Sequence, residues 1–180
     1  MVHTNKDVNN ISKLYFESTQ KEELTRKVSA DGTIRFFNKD NQLHNPYGPA
    51  LIVPDTKAGN MVISGYKSWY INGERHREDG PAMIYNSGVQ LWFKHGKKHR
   101  LDEPAVIYSK TQQEWWVDGK LHREDGPAKI DKYGIKTYFI DGISLTKREF
   151  DEFVKKKKFR EEIQARADTV FDDDFLKELD

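Results

Sequence analysis

Apolar and polar residues alternate in short runs through the middle of this 180-residue chain, and the runs return every 23 residues. One run reads Ser68-Trp69-Tyr70-Ile71, then Leu91-Trp92-Phe93-Lys94, Glu114-Trp115-Trp116-Val117 and Thr137-Tyr138-Phe139-Ile140. Another reads Ala82-Met83-Ile84, Ala105-Val106-Ile107 and Ala128-Lys129-Ile130. Alternation over so few residues predicts half-buried strands and leaves no room for a helix. Between the runs stand Asn72-Gly73 and Asp118-Gly119, dipeptides that accept the positive backbone angles of a tight reversal, and further turn signals at Asn86-Ser87-Gly88 and Lys132-Tyr133-Gly134. Strand, reversal and strand make a hairpin. The expected fold is therefore mainly β, an elongated, twisted antiparallel sheet of stacked β-hairpin repeats, with about five units over residues 29–143.

A heptapeptide repeats in step with the strands: His76-Arg77-Glu78-Asp79-Gly80-Pro81-Ala82, His99 to Ala105 and His122 to Ala128, with a degenerate form at His44 to Ala50. From His44 to His76 the step is 32 residues, nine more than the regular one, and the surplus is assigned to Pro54 to Asn60, rich in loop formers. Gly80-Pro81 and Gly126-Pro127 mark a second corner, where glycine is expected to take a conformation barred to other residues and proline to fix the next one.

The segment invites chemical readings that its spacing opposes. Equivalent histidines two strands apart are roughly 10 Å from one another, too far to share a metal ion at ~2.0–2.1 Å. A catalytic His-carboxylate dyad, the site an unfamiliar enzyme would use, needs an asymmetric nucleophile or oxyanion donors, and three near-identical dyads offer none. The middle unit carries Leu101 for Glu and Glu103 for Gly, changes that a structural ladder tolerates. No catalytic or metal-binding residue is assigned, and no cofactor. His76, Arg77, Gly80, His99, Arg100, His122, Arg123 and Gly126 are read as structural, with cross-rung ion pairs among Arg77, Glu78, Arg123 and Glu124 contributing about 0–1 kcal/mol each. The chain has no phosphate-cradling Gly-X-X-X-X-Gly-Lys loop and no Gly-X-Ser-X-Gly elbow.

Alternation divides the runs into two faces. Trp69 with Ile71, Trp92 with Lys94, Trp115 with Val117 and Tyr138 with Ile140, together with the Ala-X-Ile runs, are the expected core. The other register places Tyr70, Phe93, Trp116 and Phe139 among polar neighbours, beside Tyr85 and Tyr108, as a half-exposed aromatic stripe. That stripe is the candidate binding surface unless a terminal segment covers it or the twisted sheet buries both registers.

Residues 1–28 form a polar lead-in. Its Ile11, Leu14 and Tyr15 have helical spacing, while Leu14-Tyr15-Phe16 equally suits a short strand. After Gly142, Thr146-Lys-Arg-Glu149 is a capping box for a helix with Phe150, Phe153 and Val154 on one face, expected to cover the last sheet edge. Lys155 to Ala167 continues its helical character, and Asp172 to Asp180 is an acidic tail within the 144–180 region. The Lys155 to Lys158 run, flanked by Asp151, Glu152, Glu161 and Glu162, reads as a solvated helix face.

Composition narrows the function classes. There is no cysteine, which excludes a disulfide framework and thiol chemistry and fits a reducing compartment. Thirty basic residues against 29 acidic ones give no global field for nucleic acid or an anionic membrane. The N-terminus lacks an apolar signal region, and no run approaches the ~20 apolar residues that span a bilayer. A cytoplasmic location is expected.

The 23-residue hairpin unit with its aromatic strand and Trp-X-X-X-Gly layout resembles the MORN (membrane occupation and recognition nexus) repeat over roughly residues 33–154. It departs from that family where His-Arg-Glu-Asp-Gly-Pro-Ala replaces a second Gly-X-Gly step. This variant is similar to the HREDGPA-type repeat proteins of bacteriophages and large viruses, some of which also end in a helix like Leu145 to Phe150. The resemblance implies an interaction scaffold at work in an infected bacterium, with a host or defence protein as its partner. A small-molecule sponge holding a nucleotide-like signal between aromatic rings and Arg77, Arg100 and Arg123 is the alternative.

Overall fold

A computed structural model describes residues 22–177, with side chains as far as Asp168 in the C-terminal helix. The expectations for Ile11, Leu14, Tyr15 and Phe16, and for the side chains of the acidic tail, lie outside the described residues. The chain builds an eleven-stranded antiparallel meander in the order β1 (Thr25–Val28), β2 (Ile34–Phe37), β3 (Leu51–Val53), β6 (Tyr66–Ser68), β9 (Met83–Tyr85), β10 (Gln90–Leu91), β13 (Val106–Ile107), β14 (Gln113–Glu114), β17 (Lys129–Ile130), β18 (Lys136–Ile140) and β19 (Ile143–Leu145). Short hairpins extend it on one side: β7 (Tyr70–Ile71) with β8 (Glu74–Arg75), β11 (Phe93–Lys94) with β12 (Lys97–Lys98), and β15 (Trp116–Val117) with β16 (Lys120–Leu121).

A single tryptophan joins each meander strand to its extension. Trp69 N–H donates to the Ala82 carbonyl at 2.8 Å, and the Trp69 carbonyl accepts from His76 N–H at 3.1 Å. The N–H and C=O of one strand residue point the same way, so His76 and Ala82 both lie on one edge of the strand. Residues 77–81 therefore leave the sheet as a loop and re-enter it at Ala82. The same pairings recur at Trp92 with His99 and Ala105, and at Trp115 with His122 and Ala128.

The reversals use the expected residues. Asn72-Gly73 has φ of 48° and 82° and Asp118-Gly119 has 48° and 80°, the paired positive angles of a type I′ turn. His95 and Asp141 hold the same position at 46° and 51°. Gly80 and Gly126 do not match their expectation, because neither has a positive φ; a β-carbon there would instead stand 3.2 and 3.1 Å from the guanidinium carbons of Arg77 and Arg123. Glycine makes room in that corner for a side chain folded back over it. In the middle unit, where Glu103 stands in the glycine position, Asp102 takes φ of 64° and Glu103 N–H reaches the Leu101 carbonyl at 2.7 Å.

The core also differs from the expected register. Ala50, Ala82, Ala105 and Ala128 are fully buried, but their buried neighbours Leu51, Met83, Phe93 and Val106 belong to the opposite face. Trp69, Trp92, Ile71, Ile84, Ile107, Ile130, Tyr138 and Ile140 are half-buried, and only Trp115 of the expected aromatic set is fully inside. Loops over one face and mutual packing on the other shield both sides in part. Residues of the surplus stretch form a hairpin rather than a loop, β4 (Thr56–Ala58) against β5 (Met61–Ile63). At its base Gly65 admits no side chain, since a β-carbon would lie 2.3 Å from the Val53 carbonyl oxygen.

The terminal helix α1 (Lys147–Lys177) begins at the capping box: Glu149 accepts from Thr146 N–H at 2.8 Å, and Thr146 Oγ1 accepts from Glu149 N–H at 3.3 Å. The Thr146 amide, with the Thr146 hydroxyl that also donates to Glu149 at 2.8 Å, holds the Glu149 carboxyl below the usual glutamate range. Phe150 is 5% exposed and packs on Tyr138 with ring centroids 4.7 Å apart. No described helix is long and apolar enough to cross a membrane.

A candidate binding face

The loops 77–81, 100–104 and 123–127 all rise from one side, the corner face. Within each, the arginine folds back over the tryptophan of its own unit: Arg77 on Trp69 at 4.3 Å, Arg100 on Trp92 at 4.0 Å and Arg123 on Trp115 at 4.0 Å. Arg77 Nε donates to Asp79 at 2.8 Å and Arg123 Nε to Asp125 at 2.6 Å, while Arg100 pairs with Glu103. The facing guanidinium holds Asp79 and Asp125 below the usual carboxylate range. These arginine pairs lie within one corner, not across rungs, because the stack on tryptophan fixes where the guanidinium can reach.

Histidine makes the cross-rung contact. Nδ1 of His44, His76, His99 and His122 accepts the backbone N–H of Asn72, His95, Asp118 and Asp141 at 2.9, 3.1, 3.2 and 3.1 Å. Each histidine thus secures the type I′ turn of the next unit. At His44 and His76 the other nitrogen faces a carboxylate, Glu22 at 2.9 Å and Glu78 at 3.0 Å, so the hydrogen sits on Nε2. At His99 and His122 the same Nδ1 also lies 3.0 and 2.9 Å from the turn carboxylates Asp118 and Asp141, and it cannot accept the amide and donate to the carboxylate together. Among the described residues no three His, Cys, Asp or Glu side chains cluster as a metal site.

Along α1, Lys157 pairs with Glu124 of the last corner, and that carboxylate raises the ammonium above the usual lysine range. The Lys155 to Lys158 run is thus not wholly solvated. Between helix and corners lies a cleft of about 540 Å³ lined by Leu101, Trp115, Arg123, Val154 and Lys157. The helix covers the corner face, not the aromatic stripe.

The opposite face, left open by the described residues, carries the stripe. Register places Leu51, Ser68, Met83, Leu91, Val106, Glu114 and Lys129 in one row across it. Tyr70, Trp116, Phe139 and Tyr85 are half-buried there, and Tyr108 is 40% exposed. Burial, with the Glu114 carboxylate nearby, raises the Tyr108 phenol above the usual tyrosine range. Phe93 is the exception within the predicted set, at 8% exposed, because the Arg75 guanidinium lies 4.8 Å from its centroid. Arg75 also donates from Nε to Ser68 Oγ at 2.9 Å and to the Tyr70 hydroxyl at 2.8 Å. Lys98 sits 4.3 Å from the Trp116 ring, whose Nε1 donates to Glu114 at 2.9 Å.

Sequence reasoning missed Arg75 and Lys98. Each stands directly across a tight hairpin from a stripe residue, Arg75 opposite Tyr70 and Lys98 opposite Phe93, and this five-residue offset around the reversal is the signal that assigns them to this face. Comparison with protein-family models, curated proteins and solved structures returned no match for this chain.

Proposed function

We propose that the chain is a non-enzymatic binding scaffold, encoded by a phage, that holds and inhibits a host protein in the cytoplasm of an infected bacterium. The observation that carries the scaffold reading is the open face itself. Tyr85 and Phe139 stand on the meander, Tyr70 and Trp116 on the short hairpins that extend it, and Tyr108 directly after β13, all on the side opposite the face on which α1 packs. Aromatic side chains on a rigid sheet bring contact area at little conformational cost, which suits a protein partner. The phage and host terms rest on the resemblance of the repeat. The sponge alternative calls for arginines beside the stripe, whereas Arg77, Arg100 and Arg123 are engaged on the corner face.

A photo-crosslinking residue tests this reading. Benzoyl-phenylalanine in place of Tyr108, on the open face, should yield a discrete protein adduct in bacterial lysate, and the same residue in place of Lys94, on the corner face, should not. Equal labelling from both positions, or none from position 108, would remove the open face from the proposal.

A further inference from the structure

Among the described residues, the strands that pair across the open face place five basic residues there, Lys27, Arg35, Arg75, Lys98 and Lys129, against one acidic residue, Glu114. Glu114 is 8% exposed and already engaged, by Trp116 Nε1 and by Lys129 at 3.6 Å. On the corner face every loop arginine has its own carboxylate. On the open face, among the described residues, no carboxylate lies within ion-pairing distance of Arg75 or Lys98. A half-buried guanidinium without a counter-ion is an unfavourable arrangement for an isolated fold, and its cost is relieved when a partner supplies the anion.

We infer that Arg75 and Lys98 form a two-point docking site for an acidic polypeptide segment of the bound partner, an inference that rests on the scaffold reading above. Both cations are held in place before binding. Arg75 is fixed by Ser68, Tyr70 and the Phe93 ring, and Lys98 lies over Trp116. Little side-chain freedom remains to be lost when an anion arrives. Phe93 pairs with Lys98, and Arg75 accepts from Gly96 N–H at 2.9 Å through its carbonyl, so the two cations stand two strands apart, roughly 10 Å. Residues seven apart on a helix are separated by about 10.5 Å, so a helix with carboxylates at that interval matches the step. Single-stranded nucleic acid fits less well. Base stacking needs open ring faces, whereas Phe93 is buried and Lys98 occupies a face of Trp116, with the Glu114 carboxylate alongside.

The test measures fluorescence polarisation of a labelled helical peptide with Glu at seven-residue intervals, its Gln counterpart and an oligouridylate, each titrated with the full chain. The Glu peptide should bind in a salt-sensitive manner, and Lys98→Gln or Arg75→Gln should weaken it about tenfold. Lys97→Gln is the internal control, because Lys97 neighbours Lys98 on β12 but points to the corner face; it should change binding by less than about twofold. Arg75 also ties Ser68 and Tyr70 together, so thermal melts accompany its variant, and Lys98, which makes no such bonds, carries the decision if Arg75→Gln unfolds. Equal binding of the Gln peptide, equal loss on Lys97→Gln, tighter binding of oligouridylate, or no binding at about 1 mM would each overturn the inference. A partner cross-linked from position 108 while the Glu peptide fails leaves the scaffold reading standing and removes only the acidic docking site.

Discussion

At Gly126 a missing β-carbon leaves space for Arg123, whose guanidinium carbon would otherwise stand 3.1 Å away while it covers Trp115. This differs from the role of Gly119, whose φ of 80° disfavours any side chain whatever surrounds it. Gly126→Ala in the intact chain should displace Arg123 from its ring and destabilise by about 1–2 kcal/mol. Once Arg123 is shortened to alanine the obstacle is gone, and the added β-carbon should stabilise by about 0.4–1 kcal/mol through the unfolded state. The sign of the Gly126→Ala effect is therefore expected to reverse between the two backgrounds. Urea unfolding of the four proteins of this double-mutant cycle measures it, and an unchanged sign would mean that backbone conformation, not Arg123, selects glycine here. The middle unit is a natural counterpart: Glu103 has a β-carbon, Arg100 still lies 4.0 Å from Trp92, and the backbone has moved instead, through the positive φ of Asp102.

At the scale of elements, α1 completes the last unit by substitution. The position 23 residues after Arg123 is Thr146, which cannot cover Tyr138, and Phe150 with Lys147 does so from the first turns of the helix. Phe150→Ala should remove about 3–5 kcal/mol of packing, enough to release the helix while the sheet keeps its own hydrogen bonds. Amide exchange should then quicken across the first turns of α1 and stay slow in β6, β9 and β13; equal loss of protection throughout would make the helix part of the cooperative core. The hairpins and this cap were legible in the sequence because each has a local chemical signal: Asn-Gly or Asp-Gly at a reversal, Thr-X-X-Glu at a helix start. His95-Gly96 performs the same reversal without such a signal; its amide is held by His76 as the other turn amides are by their histidines, and its ring packs on His76 with centroids 4.4 Å apart, a contact that no local sequence signal marks. The choice of core face was not legible. Period two says which residues share a side, but the cover on that side comes from the five-residue loop 77–81 and its equivalents, whose arginines fold back against chain direction. The stripe residues were correctly grouped, yet the burial of Phe93 depends on Arg75, a cross-strand neighbour that alternation alone does not rank.

For the whole molecule, the repeated step means that each unit meets its neighbours through the same few bonds, a histidine to the next turn and a turn glycine to the preceding strand, while within each unit a tryptophan bonds its own alanine. Stability in such an array is close to a sum over units and the interfaces between them, so a unit can be removed if the junction preserves register. Deleting residues 92–114 joins Leu91 to Trp115, keeps every later side chain on its face, and brings the Asp118 amide under His76 in place of that of His95. The shortened chain should fold cooperatively, with a denaturant slope lower by roughly a seventh, in line with the surface removed. Deleting one residue fewer, 92–113, joins Leu91 to Glu114 and turns every residue after the junction to the opposite face relative to the strands before it, sending Trp115 with its loop to the other side of the sheet and the Asp118 amide away from His76. That chain should lose the near-ultraviolet signal of packed tryptophan and unfold without a sharp transition. The two deletions differ by one residue and remove almost the same composition, so a difference between them isolates register from content. If both fold equally well, the turns absorb the slip and the 23-residue step is not what holds the array in line.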